Sequence, residues 1–86
     1  MNKKFIYFYF MKKEPEKIGQ IVPQHIKYWK DLNINDYMGG PFADRSGGLI
    51  TFTSDNINEA TNIINKDPFI IEELLSDRWM KEWIVE

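Results

Sequence analysis

The 86-residue chain contains no cysteine, so disulfides and thiolate metal sites are excluded. It holds one histidine, His25, which excludes an all-imidazole zinc site within a single subunit. No apolar run reaches the roughly 18–20 residues that a membrane-spanning helix needs. Net charge is close to nil as well: eleven Lys and Arg stand against thirteen Asp and Glu, leaving −2. Nucleic-acid binders usually carry a basic surplus, and this chain has none. A chain this short buries only about 60–65% of its unfolded surface, so its own core is marginal without a staple. With disulfides, thiolate metal sites and an all-imidazole zinc site removed, oligomerisation is the staple left.

Charge is unevenly spread all the same. Residues 1–30 hold seven Lys and two Glu, and residues 67–86 hold six acids and two bases. The lysines are scattered, which reads as solvated surface of opposite sign on neighbouring elements. The opening Met1-Asn2-Lys3-Lys4 followed by Phe5–Met11 lacks a small-residue cleavage site and is rich in Tyr and Phe. It reads as a strand, not a signal peptide. With no signal and no cysteine, a cytoplasmic protein without a membrane or nucleic-acid partner is expected.

What the chain does have is apolar and aromatic residues, 43% and 15% of its length, enough for a folded domain spanning 1–86. Residues 4–11 (KFIYFYFM) give the strongest strand signal, with Phe5, Tyr7, Tyr9 and Met11 on one face and Ile6, Phe8 and Phe10 on the other. A strand apolar on both faces must be covered on both. Glu14-Pro15-Glu16 opens a helical stretch in which Ile18, Ile21, Val22, Ile26, Trp29 and Leu32 recur at helical spacing. Pro23 disfavours helix at Val22, so a kink or split is expected, with the regular helix running from about Pro23 to Leu32. Residues 36–40 read as a short strand, 41–48 as a loop whose glycines permit unusual backbone angles, and 49–53 as a strand that completes a hairpin. Asn56 to Glu59 matches a capping box ahead of a second helix ending at Lys66. Residues 69–75 suggest a short helical turn, and Arg78–Val85 a final strand. The order β-α-β-β-α-β on one four-stranded antiparallel sheet is the ferredoxin-like α+β arrangement. Its helices cover one face of the sheet, and the apolar second face of the first strand calls for a partner sheet in a homodimer.

Histidine is the side chain whose ordinary titration lies nearest neutrality, and His25 shares the apolar seam of the first helix, four residues from both Ile21 and Trp29. On spacing alone, a half-buried histidine making one hydrogen bond or packing on Trp29 is the commoner explanation of that position. Asp67 precedes Pro68 and reads as a helix-terminating carboxylate bonded to a nearby amide, slightly disfavoured beside a negative helix end. Asp44 and Arg45 lie in the 41–48 loop, where ordinary turn chemistry competes with function. Gly39-Gly40 and Gly47-Gly48 flank a hairpin and lack the Lys and Ser/Thr of a phosphate loop. Trp79 and Trp83 are simplest as core and interface aromatics.

The chain resembles the YciI-like (YCII-related) family. The resemblance is carried by His25-Ile26 with Trp29 and Leu32, by Gly40-Pro41, and by Asp44 with Gly47-Gly48. Further along it is carried by Ala60, by Asp67-Pro68-Phe69 and by Trp83. It implies a dimeric α+β barrel, sheet packed on sheet, with a cleft holding a catalytic His–Asp pair. Carried across, the pair falls on His25 and Asp67, with Asp44, Pro41, Phe69 and Trp29 bordering the pocket as substrate contacts. Pro23 just before the histidine, and IIEELL in place of a glycine-containing turn, depart from the usual pattern at the pocket. A carboxylate that accepts one ring N–H of an imidazole fixes its tautomer, and the other nitrogen can then move a proton on a bound substrate. The expectation is a cofactor-independent, metal-free acid/base enzyme of lyase or hydrolase type acting on a small cyclic or aromatic compound. A non-catalytic small-ligand module and a monooxygenase-type relative are the alternatives.

Overall fold

The computed structural model describes residues 3–86. Strand β1 (Lys3–Met11) lies in the interior of the sheet, and its two faces meet different surroundings. Phe5, Tyr7 and Tyr9 are buried, whereas the alternate residues Ile6, Phe8 and Phe10 are only partly covered. The remaining elements follow as α1 (Pro15–Asp31), β2 (Met38–Pro41), β3 (Gly47–Ser54), α2 (Ile57–Asn65), α3 (Pro68–Ile71) and β4 (Leu75–Glu82). The strand order is β2-β3-β1-β4 with every neighbouring pair antiparallel, which is the ferredoxin-like split βαβ topology. The core lies between the sheet and the helices, where Phe5, Tyr7, Ile50 and Phe52 meet Trp29, Ala60, Ile64 and Phe69.

Several boundaries differ from the sequence expectations, each for a local reason. Helix α1 is one continuous element from Pro15 to Asp31 with Pro23 inside it. A proline removes one N–H and crowds the carbonyl four residues back. That carbonyl belongs to Gly19, and both residues are exposed, so solvent can serve the freed oxygen. Strand β2 starts at Met38, not Asp36, because Asp36 is left-handed (φ 60) and closes the preceding turn. Strand β4 begins at Leu75, two residues after Glu73 (φ 56) closes the turn that follows α3, and its pairing ends as the Trp83 N–H donates to the Lys4 carbonyl at 2.8 Å.

The loop glycines have a different role from the one expected. None has positive φ; the left-handed residue of that loop is Arg45 (φ 65). Gly47 and Gly48 sit opposite Phe10 and Tyr9 in the β1–β3 register. A Cβ at Gly47 would strike the Tyr9 carbonyl, and one at Gly48 would strike the Tyr9 phenol. Close approach, not backbone angle, requires glycine there.

The sheet face away from the helices stays open within one chain. Trp79 is 42% exposed and stacks on Phe8, its cross-strand partner, at 5.1 Å between ring centres. Phe42 packs on Phe10 beside them at 5.7 Å.

Candidate active site

Three elements, α1, α3 and β1, converge at one point. Spacing of four residues places Ile21, His25 and Trp29 on the buried side of α1, one turn apart. Pro68 keeps Asp67 extended, and Asp67 becomes the cap residue of α3. Its carboxylate therefore sits at the start of a helical turn, not against the negative end of α2 as the sequence suggested. Tyr9 reaches the same point from β1, with Gly48 making room for its ring.

Asp67 is completely buried and accepts three hydrogen bonds, each of 2.8 Å. Oδ1 receives the His25 Nδ1–H and the Phe69 backbone N–H, and Oδ2 receives the Trp29 Nε1–H. Three donors compensate a carboxylate that would otherwise be very costly to bury. An ionised carboxylate only accepts, so Nδ1 of His25 carries its hydrogen and Nε2 is the nitrogen left to exchange a proton. The Phe69 ring lies flat on the imidazole, 4.1 Å between centres and 12° between planes, and fixes its orientation. The Tyr9 hydroxyl stands 3.5 Å from Nε2. Burial pushes the Tyr9 phenol well above its ordinary range, and the Asp67 charge adds to the effect, so it stays protonated at neutral pH.

His25, Tyr9 and Phe69 form part of the wall of a cleft of about 430 Å³, which Tyr37, Pro41, Lys30 and Arg45 also line. The residues expected from sequence fall into three positions. His25, Phe69 and Pro41 line the cleft. Asp67 and Trp29 lie behind it, one holding the imidazole and the other holding Asp67. Asp44 is exposed outside the lining, and its carboxylate accepts from the Ser46 N–H and Oγ–H at 3.0 and 2.6 Å, bonds that lower its pKa. Arg45, beside it, lines the cleft instead. Tyr9, Tyr37 and Lys30 were not among the sequence candidates, and Arg45 entered only as a loop residue beside Asp44. Both faces of β1 are apolar, so nothing in the sequence singled out Tyr9, and Lys30 and Arg45 read as ordinary helix and loop charges. Among the described residues no three His, Cys, Asp or Glu side chains gather to hold a metal ion.

A ferredoxin-like domain with a buried carboxylate behind a cleft-facing histidine defines the class of this protein. The family model of the YCII-related domain matches residues 4–84, and the chain belongs to that family. No functionally curated protein matches the sequence. Among solved structures, the chain is similar to 5-chloro-2-hydroxyhydroquinone dehydrochlorinase from Burkholderia phenoliruptrix AC1100, in complex with 2,5-dihydroxybenzoquinone. That match has a TM-score of 0.80 at 17% identity and covers 94% of this chain and 93% of that one. An antibiotic biosynthesis monooxygenase matches with a TM-score of 0.70 at 13% identity over 100% and 99% of the two chains. A dimeric ferredoxin-like protein of unknown function from Thermobifida fusca YX matches with a TM-score of 0.60 at 15% identity over 99% and 92%. At these identities the likeness establishes the fold.

Proposed function

We propose that the cleft is the active site of an acid/base enzyme acting on a small ring compound, with His25 as the catalytic residue. Nε2 takes a proton from the substrate and returns it, while Asp67 holds the ring in one tautomer and balances the imidazolium that forms. Tyr9, still protonated, supplies a hydrogen bond to the developing charge. In an elimination, Nε2 removes a ring proton, the C–H electrons form the new double bond, the leaving group departs with the electrons of its bond to carbon, and the proton on Nε2 then passes to solvent.

The observation that carries this reading is the 2.8 Å bond between His25 Nδ1 and the buried, triply bonded Asp67, with the imidazole lining a cleft. The dehydrochlorinase, whose complex holds a dihydroxybenzoquinone, shares the fold and supports a ring substrate. The test is a screen of chlorinated hydroquinones and related cyclic compounds, following halide release and ring absorbance. Product formation is expected. Tight binding across the series with no chemical change would replace the enzyme by a ligand-binding module.

We also propose that two copies pack through the open sheet face around Ile6, Phe8, Phe10 and Trp79. Half-covered aromatics on that face, the marginal size of the chain and a structural neighbour described as dimeric support it.

A further inference from the structure

The cleft is electrostatically one-sided. Among the described residues no Asp or Glu lines it, whereas Lys30 from α1 and Arg45 from the β2–β3 loop both do. The acid behind it, Asp67, is sealed by His25 with its charge met by three donors. The ion pairs among the described residues are Lys3–Glu82, Lys17–Glu72, His25–Asp67 and Lys27–Asp31, and neither Lys30 nor Arg45 belongs to one. Two cations without acidic partners on a concave, aromatic-walled surface attract an anion.

Arg45 occupies the left-handed region at φ 65, where glycine would sit without strain. Its conformation is braced by the Arg45 N–H to Phe42 carbonyl bond of 2.9 Å and by the Asp44–Ser46 contacts. The shape of the cleft adds the remaining constraint. Phe69 lies parallel to the imidazole, Tyr9 and Tyr37 stand nearby, and Gly39 and Gly40 contribute no side chain. A volume of about 430 Å³ suits one substituted ring.

We infer that the cleft selects a small planar anion, an aromatic or quinonoid ring bearing a carboxylate or an ionised hydroxyl, and that Lys30 and Arg45 are its specificity residues. This rests on the proposed active site and concerns what that site admits. A guanidinium offers a flat, bidentate partner to a carboxylate, and the Lys30 ammonium a point charge.

The experiment is calorimetric titration of the protein with 2,5-dihydroxybenzoate and with its neutral amide at low and moderate salt. The acid is expected to bind at least about tenfold tighter than the amide, with an advantage that shrinks as salt rises. Lys30→Met and Arg45→Gly should each remove most of that preference, and the double variant all of it, while amide affinity stays within about twofold. Arg45→Gly also relieves the left-handed backbone, so it keeps the loop. Acid and amide binding alike, neither binding, or a preference that survives the double variant would overturn the inference. Repeating the titration on His25→Gln separates the two readings: the preference should persist there whether or not turnover has been lost. An enzyme that turns over neutral rings with no preference would refute the inference alone.

Discussion

Asp67 does two jobs with the same three hydrogen bonds. It orients His25, and it ties Trp29 and the start of α3 into the core. Asp67→Asn keeps the volume but puts an NH₂ where one donor now points, leaving a buried donor unmet at about 1–3 kcal/mol. A fall in melting temperature of roughly 5–15 °C is expected in a domain this small, read by thermal denaturation. An unchanged melting temperature would mean that Asp67 holds nothing but the imidazole. Catalytic and structural roles therefore separate at His25, not at Asp67. The sequence made His25 and Asp67 candidates chiefly through family likeness, since a histidine on an apolar stripe and an aspartate before proline each have ordinary explanations. Tyr9, Lys30 and Arg45 left no such signal: a strand tyrosine, a helix-end lysine and a loop arginine become site residues only when three distant segments meet.

At the scale of elements, the period-two and period-3.6 patterns of apolar residues located β1, α1 and α2, because burial on one face forces those spacings, whereas the exposed β2 carries no such pattern and was legible only through the Gly-rich hairpin. The boundaries obeyed backbone details that such patterns do not carry, namely the left-handed Asp36 and Glu73 and the exposed Gly19–Pro23 pair in α1. The Gly-rich hairpin shows the same gap between pattern and cause. Gly48 is fixed by the Tyr9 ring across the β1–β3 pairing. Gly48→Ala should accordingly cost about 1–3 kcal/mol by chemical denaturation, since an aromatic ring wedged between strands yields little. It should also push the Tyr9 hydroxyl off His25 Nε2. A neutral effect on stability would show that the two strands are looser than their register implies.

For the whole molecule, two consequences follow from where the aromatic side chains end up. Tyr7 and Tyr9 are buried on the helix side, and burial, with Asp67 adding, raises both phenols above their ordinary value of 10.0. The folded state keeps protons that the unfolded chain loses above about pH 10, so this stability is intact below pH 10 and declines as pH rises beyond it. Denaturation followed from pH 8 to 12 should show that fall. Tyr7→Phe, which removes a hydroxyl that meets no protein partner, should lessen the fall and leave the part due to Tyr9. The opposite sheet face displays Phe8, Phe10 and Trp79, and the double-sided greasiness of β1 makes this legible in the sequence. Sedimentation is expected to give the mass of a dimer at micromolar concentration, with Trp79→Glu shifting it to monomer; a wild-type monomer would contradict the sheet-on-sheet proposal. The central claim is that His25 moves the proton, and it is tested most directly by turnover of a screened substrate in His25→Gln. The account predicts a loss of about 10²–10⁴ in kcat with the fold and dimer retained, and a variant that turns over as fast as wild type would contradict it.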